Sequence, residues 1–173
     1  DEWSKLCMAS AALSQTDIRI DDNPSVTVAD INAKCRRLDN LGLVIIDYLQ
    51  LMQGSGYGKN SDNRVTVVGE ISRSLKIMAK ELDVPVICLS QLSRAVEKQG
   101  NNSSHRPQLS DLRDSGSIEQ DADIVAALHA PDVEVPVGDE VPNPIQLIIL
   151  KHRNGPTKTI DLLFKKKTST FLS

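Results

Sequence analysis

The seven residues from Val44 to Gln50 read Val-Ile-Ile-Asp-Tyr-Leu-Gln, an apolar run that ends in one carboxylate, Asp47. An apolar run this short predicts a strand buried on both faces, as in a parallel sheet covered by helices. A carboxylate at the end of such a strand is costly unless positive charge or hydrogen bonds offset its desolvation. Ligands bind at the carboxyl ends of parallel strands, where a nucleotide-bound Mg²⁺ would supply that charge. The alternative, a core strand whose last Asp caps the next turn, fits this segment equally well.

Composition indicates one globular domain covering residues 1–173. With 40% hydrophobic residues the chain can bury a sizeable core, and its net charge of -3 means that any anion site must be local. No apolar segment approaches the roughly 20 residues of a membrane span, and no secretory signal opens the chain. Cys7, Cys35 and Cys88 are odd in number and widely spaced, so we expect buried thiols in a reducing, cytoplasmic compartment.

The periodicity of the apolar residues predicts an α/β order of elements. Helical spacing predicts helices at residues 3–13 and 68–82, and Thr27 with Asp30 resembles a capping box that opens another helix. Predicted strands cover residues 17–21, 43–47, 85–90, 124–128, 146–150 and 159–164. The strand, helix and strand between residues 43 and 90 have the spacing of a right-handed βαβ crossover. The last two strands are expected to pair around Asn154-Gly155.

The glycine-rich loop from Gly54 to Asn60 resembles a phosphate-binding P-loop, since it follows a strand and precedes a helix. That motif requires G-x-x-x-x-G-K-[ST], in which backbone N–H groups and the Lys contact phosphate and the hydroxyl holds Mg²⁺. Here Gln53 stands where the first Gly is needed, and Asn60, which has no hydroxyl, follows Lys59. We therefore interpret the loop as an ordinary flexible connection.

Three further segments follow residues 44–52 along the chain, and the four segments are informative when they are considered together. Residues 86–94 are predicted to place Ser90 and Gln91 at the sheet edge that carries Asp47. Residues 109–123 are predicted to form a polar loop leading into a short helix, and residues 151–156 a basic hairpin tip. Together they resemble the ATPase domain of DnaB-type replicative DNA helicases, over essentially the whole chain. The resemblance implies an α/β, RecA-like three-layer fold, with a mostly parallel sheet and a C-terminal end rich in β-hairpins.

The resemblance also implies which parts of the motor are missing from this sequence. In the family, the P-loop and the catalytic glutamate precede the region that matches. The chain is therefore expected to be the carboxy-terminal portion of the motor domain, and the isolated chain is expected to hydrolyse no ATP.

The resemblance assigns ATP and Mg²⁺ as cofactors of the intact protein. Asp47 would be the Walker B aspartate that holds Mg²⁺ through water, and Gln91 would sense the γ-phosphate. Lys151 and Arg153 would act in trans on nucleotide bound to a neighbouring subunit. Residues two apart on a strand share a face, and an arginine finger can supply about 10³–10⁵ in rate. The alternatives are an exposed turn residue for Gln91 and a solvated hairpin for the two cations.

The resemblance places Arg113, Asp114 and Gly116 in a DNA-binding loop that faces the channel of a homo-hexameric ring. Arg113 can neutralise phosphate, Gly116 lets backbone N–H groups approach a strand closely, and Asp114 fits only if its backbone faces the DNA. The aromatic content of 3% argues against base stacking and for contact with the backbone of single-stranded DNA. Movement with 5′-to-3′ polarity, a primase partner and a helicase loader are further implications.

Two other function classes stay open at the level of the sequence. One is a RecA-like ATPase of the recombination or clock type, against which the loop at residues 112–116 argues. The other is a non-catalytic interaction module with the same fold. The lysines at 165–167 are interpreted as a solvated turn between the last two strands, and the three histidines have no metal-ligand spacing.

Overall fold

The computed structural model describes residues 1–54, 64–92, 105–112, 116–131 and 141–173. The helices in these ranges are α1 (Glu2–Ser14), α2 (Val28–Cys35), α3 (Arg64–Leu82) and α4 (Gly116–Asp121). The strands are β1 (Val44–Ile46), β2 (Val86–Cys88), β3 (Ile124–His129), β4 (Asn143–His152), β5 (Thr159–Lys165) and β6 (Thr170–Leu172). Short 3₁₀ turns cover Leu49–Leu51, Leu109–Asp111 and Lys166–Thr168. Apart from the strand at residues 17–21, every predicted helix and strand is present.

β1 and β2 form a parallel pair with α3 between them in the chain, as predicted. Ile46 lies opposite Cys88. The pairing continues past both strands, because the Leu89 N–H donates to the Ile46 carbonyl at 2.9 Å and the Leu49 N–H donates to the Leu89 carbonyl at 2.9 Å. The segments that follow the two strands therefore stay side by side.

One apolar face of α3 packs on this pair. The core cluster of buried residues consists of Ile46, Leu49, Met52, Val68, Ile71, Leu75 and Met78. The α3 members recur every three or four positions, as predicted, so they line one stripe of the helix. Met78 is the most buried of them, at 1% exposure. Full burial of such side chains contributes about 1.5–3 kcal/mol each, which makes this stripe the hydrophobic support of the pair.

The predicted burial of β1 on both faces is wrong for the described part of the chain. Ile46 is buried, whereas Ile45 is 62% exposed and Ile87 of β2 is 48% exposed. Successive strand residues point to opposite faces, and the α3 core cluster covers only the face that carries Ile46. The described residues therefore do not form the second helical layer of a three-layer sandwich over Ile45 and Ile87.

The other strands form a second sheet in the order β3-β4-β5-β6, antiparallel throughout. Residues 124–128 are a strand, as predicted, but β3 pairs with β4 and not with the parallel pair. The β4–β5 hairpin turns around Asn154-Gly155, also as predicted. A Cβ at Gly155 would lie 2.9 Å from the His152 ring, so a larger residue here would require the imidazole to move. The hairpin-rich C-terminal end is confirmed, and among the described strands parallel pairing is limited to β1 and β2.

The N-terminal segment differs most from the predictions. α1 forms, but it contains no buried residue. Residues 17–21, predicted as a strand, have no regular structure, because no described strand pairs with them. The capping box of α2 is confirmed: the Asp30 N–H donates to Thr27 Oγ1 at 3.2 Å, and the Thr27 N–H donates to Asp30 Oδ2 at 3.1 Å. None of the described helices is long and apolar enough to cross a bilayer.

The three cysteines differ in exposure. Cys35 is buried and Cys88 is half-buried, and burial raises the pKa of the Cys88 thiol to about 11. Cys7 is exposed, because α1 buries none of its residues. The expectation of three buried thiols is therefore wrong for Cys7.

α4 docks on α3 at Gly69. A Cβ at this position would lie 2.6 Å from Ser117 Oγ and 3.2 Å from Ser117 Cβ. Glycine inside a helix costs roughly 1 kcal/mol relative to alanine, so its presence here is explained by the close approach of α4. The close packing of α4 on α3 therefore depends on the absence of a side chain at Gly69.

We expect Gly69→Ala to destabilise the protein although alanine is the better helix former, because the added methyl group would displace Ser117. The cost should be about 1–3 kcal/mol, as for other overpacked contacts, and thermal unfolding would measure it. In a Ser117→Gly background, which lacks both clashing atoms, the same Gly69→Ala change should be neutral or stabilising. Equal destabilisation in both backgrounds would show that Ser117 is not the obstacle.

Candidate functional site

The edge at which β1 and β2 end gathers several polar side chains. Asp47 directly follows β1, and Ser90 and Gln91 lie two and three residues after Cys88, the last residue of β2. Because the two strands are parallel, their carboxyl ends lie at the same edge of the sheet. Ligands of open α/β folds bind at such edges. The structure therefore places Asp47, Ser90 and Gln91 where a nucleotide would be expected.

The Asp47 carboxylate is exposed and uncommitted. No hydrogen bond or ion pair reaches it from another described residue, so it does not cap the following turn. The described residues contain no group of three or more His, Cys, Asp or Glu side chains that could hold a metal. A lone carboxylate suits Mg²⁺, which keeps several waters and is bound through one or two carboxylates together with substrate phosphates. Asp47 therefore fits a nucleotide-bound Mg²⁺, and the part of the chain that the structure describes offers it no further ligands for a metal held by protein alone.

Gln50 holds the segment after β2, a contact that the sequence analysis missed. Its Nε2 donates to Ser90 Oγ at 2.9 Å and to the Gln91 carbonyl at 3.3 Å, while its Oε1 accepts from the Gln91 N–H at 3.3 Å. The backbone of Gln50 is anchored by its neighbour Leu49, which is 3% exposed. The Gln91 side chain stays exposed, without a described partner. The sequence feature that could have indicated this contact is the amide side chain of Gln50, which lies between Leu49 and Leu51 in an otherwise apolar segment.

The Lys151 ammonium is bound within its own chain. It donates to the carbonyls of Glu119, of Gln120 at 3.4 Å and of Ala122 at 2.8 Å. These carbonyls lie at the C-terminal end of α4, where unpaired carbonyls and the helix dipole favour a cation. An ammonium has three donors, and three carbonyls face it here. Lys151 would have to give up these bonds to reach a nucleotide on a neighbouring subunit.

Arg153 lies beside Asp123, one residue past β4. Its backbone N–H donates to the Asp123 carbonyl at 2.8 Å, and its Nη1 lies 3.2 Å from Asp123 Oδ1. The other carboxylate oxygen, Oδ2, accepts from Lys76 of α3. The hydrogen bond from Lys76, followed by the charges of Lys76, Arg153 and Lys151, holds the pKa of Asp123 below its usual value. The Arg153 side chain remains 50% exposed.

The candidate residues therefore fall into two groups on different sheets. Asp47 and Gln91 lie at the end of the parallel pair, whereas Lys151 and Arg153 lie at the end of β4, against the segment 119–123. No hydrogen bond or ion pair between described residues joins the two groups. The Asp123 and Lys76 side chains were not among the predicted site residues, because no local spacing relates two residues 47 positions apart.

The predicted DNA-binding loop is described only in part. Arg113 and Asp114 lie outside the described residues, as do residues 55–60 of the glycine-rich loop and the three residues after it. Gly116 opens α4 and is exposed, with open space where a Cβ would be. Lys166 and Lys167 are exposed in the turn between β5 and β6, which agrees with the predicted turn. The His105 ring lies 3.1 Å from the Asp111 carboxylate, and no group of three possible metal ligands occurs among the described residues.

We expect Gln50→Leu to speed hydrogen–deuterium exchange at the Gln91 amide, because the substitution removes its acceptor and keeps a similar volume. Each lost hydrogen bond is worth about 1 kcal/mol, so exchange should become about five- to tenfold faster in the segment containing Gln91. The matched control is Gln53→Leu, at an exposed glutamine of the same segment. Unchanged protection of Gln91 in Gln50→Leu would show that the backbone ladder alone holds this segment.

The whole sequence matches one protein family and is similar to curated replicative helicases. The match is to the family described as "DnaB-like helicase C terminal domain", over residues 1–173. The chain is 53% identical to the replicative DNA helicase DnaB of Geobacillus stearothermophilus and 52% identical to the replicative DNA helicase DnaC of Bacillus subtilis (strain 168). Both alignments cover 100% of this chain, and the chain spans 37% of the length of each relative.

Two solved structures are similar to the chain over nearly all of its length. One is described as a DnaB-like replicative helicase and its interactions with primase, and the other as an ATPase domain. Each superposes with a TM-score of 0.84 at 41% identity and covers 99% or 100% of this chain. The chain in turn spans 42% of the first and 60% of the second, and the α/β, RecA-like fold class is confirmed. The chain belongs to the DnaB-like helicase C-terminal domain family.

Proposed function

We propose that this chain is part of the motor domain of a replicative DNA helicase, in which ATP hydrolysis at subunit interfaces drives 5′-to-3′ movement along single-stranded DNA. The observation that carries the proposal is the sheet edge in a chain that matches the family along its whole length. At that edge an exposed, uncommitted carboxylate, Asp47, and an exposed amide, Gln91, end two parallel strands. Because the chain spans about a third of its relatives, the whole activity is proposed for the full-length protein that carries it.

The residues of the edge have distinct roles in this proposal. Asp47 would orient the water shell of the Mg²⁺ that accompanies ATP, which supplies charge stabilisation at the transferring phosphoryl group. Gln91 would hydrogen-bond the γ-phosphate through its exposed amide, and Gln50 would keep the backbone of Gln91 in register. Loss of the γ-phosphate would then leave the Gln91 amide unpaired, which makes it suited to sense hydrolysis.

Arg153 is the better candidate of the two cations for action in trans. Its guanidinium has five N–H donors, of which one nitrogen pairs with Asp123, and half of the side chain is exposed. A planar guanidinium can bind phosphate oxygens with two parallel hydrogen bonds. Lys151 would instead remain against the end of α4, or leave it only when a neighbouring phosphate replaces the three carbonyls.

DNA binding is proposed for residues 113–116, of which Gly116 is the first residue of α4. Arg113 would contact the phosphate backbone, and the backbone at Asp114 and Gly116 would approach the strand. A homo-hexamer in the cytoplasm would arrange these loops around a channel, with a primase and a loader as partners. The likeness to a helicase structure described with primase supports the first of these partners.

Arg153→Ala in the full-length protein should abolish ATP turnover and ATP-dependent unwinding while leaving nucleotide binding nearly intact. The physical reason is that an arginine finger stabilises charge in the transition state, worth about 10³–10⁵ in rate, more than it holds ground-state ATP. Arg36→Ala, the same change at an exposed arginine paired with Glu81, is the control and should retain turnover.

A mixing experiment separates action in trans from action in cis. Arg153→Ala and Asp47→Ala subunits, each inactive alone, should regain turnover when mixed, because about a quarter of the interfaces in random rings combine an intact Asp47 with an intact Arg153. Mixtures that stay inactive, or nucleotide binding lost as severely as turnover, would contradict the trans assignment.

Arg113→Ala should weaken binding of single-stranded DNA to a similar degree for all sequences. One lost phosphate contact should lower the slope of log affinity against log salt by about 0.7. DNA-stimulated ATP turnover should fall, whereas DNA-independent turnover should persist. Arg37→Ala, at an exposed arginine just after α2, serves as the matched control. An unchanged salt slope together with a collapse of basal turnover would mean that Arg113 belongs to a subunit interface and not to a DNA loop.

A further inference from the structure

The segment 119–123 contacts both of the cations at the end of β4, Lys151 and Arg153. The Lys151 ammonium is bonded to three carbonyls of this segment, and Arg153 is bonded to Asp123 through both its backbone and its side chain. The register of the strands explains this, because Val125 of β3 lies opposite Lys151 and the antiparallel course brings Asp123 beside Arg153. Both side chains are therefore ordered by a single short stretch of the same chain.

Asp123 divides its two carboxylate oxygens between two cations. Oδ1 lies 3.2 Å from Arg153 Nη1, and Oδ2 accepts a hydrogen bond from Lys76. The Lys76 side chain is only 22% exposed and projects from α3, the helix that carries the hydrophobic core. The lowered pKa of Asp123 is consistent with a permanently charged carboxylate at neutral pH. Asp123 therefore links an exposed arginine to the helix that contributes to the hydrophobic core.

This link limits the freedom of Arg153. A free arginine side chain has about 2 kcal/mol of rotamer entropy to lose when it is fixed. The Asp123 contact uses one edge of the guanidinium, while the side chain remains half exposed and its other donors can still reach a phosphate. Groups held in the productive geometry before substrate arrives contribute to rate because less ordering remains to be done.

We propose, resting on the trans role of Arg153 proposed above, that Asp123 is a positioning residue that is anchored by Lys76 and orients Arg153 toward the nucleotide of the neighbouring subunit. Asp123 does not contact the nucleotide in this proposal. Its effect on turnover depends entirely on Arg153.

Steady-state ATP turnover of full-length variants tests the proposal. Asp123→Asn should lower kcat about tenfold with little change in KM, well short of the loss expected for Arg153→Ala. Asp123→Glu, which restores the charge, should recover part of the rate, and Lys76→Met should give a smaller loss because it leaves the Asp123–Arg153 pair in place. The matched control is Asp121→Asn, whose carboxylate has no partner among the described residues, and it should keep normal turnover.

Two further measurements distinguish positioning from a merely structural role. Adding Asp123→Asn to Arg153→Ala should cause no further loss, since residues that act as a unit are non-additive. In mixed rings, Asp123→Asn should count as a defect of the subunit that donates Arg153: it should be complemented by Asp47→Ala subunits and not by Arg153→Ala subunits. Ring assembly and nucleotide binding should stay normal in every variant of Asp123 and Lys76.

The possible failures can be told apart. Normal or raised turnover of Asp123→Asn beside an inactive Arg153→Ala would overturn the positioning role alone. Additive losses in the double variant would do the same, because Asp123 would then act independently of Arg153. Full turnover of Arg153→Ala by itself would overturn the proposed trans role, and the positioning role with it.

Discussion

The packing of α3 against the parallel strand pair is the interaction on which the rest of the structure depends. Its buried stripe, which includes Met78 at 1% exposure, covers Ile46 of β1 and the turn that follows Asp47. The same helix supplies Gly69, where α4 docks, and Lys76, which holds Asp123. One helix therefore supports the sheet edge that carries Asp47 through hydrophobic contact, and it supports the segment that holds the two cations through Gly69 and the Lys76–Asp123 ion pair.

The separation of the candidate residues into two groups has a chemical consequence. A carboxylate that serves a Mg²⁺–nucleotide must stay clear of protein cations that would compete for it, and no described cation pairs with Asp47. The cations at the end of β4 are instead kept near Asp123 and the carbonyls of α4. The proposed site, shared between neighbouring subunits of a ring, would require two such separate groups on each chain.

The sequence predictions succeeded where the signal was local. The stripe of α3, the capping box at Thr27 and the hairpin at Asn154-Gly155 each depend on residues a few positions apart, and each is present. The predictions failed where an apolar or alternating pattern needed a distant partner. Residues 17–21 alternate like a strand without a described strand beside them, and Ile45 is exposed because α3 covers only the opposite face.

The sequence by itself determined the order of helices and strands and the position of Asp47 at a strand end, and its resemblance to a known family pointed to the candidate residues. Only the tertiary structure decided which distant side chains meet. Gln50 bonds the backbone of Gln91, 41 positions away, and Lys76 meets Asp123 across 47 positions. Periodicity and capping follow from neighbours within one turn or strand, whereas these contacts exist only after whole elements have packed. For that reason the residues that hold Gln91 and Arg153 in place are visible in the fold and not in the pattern of the chain.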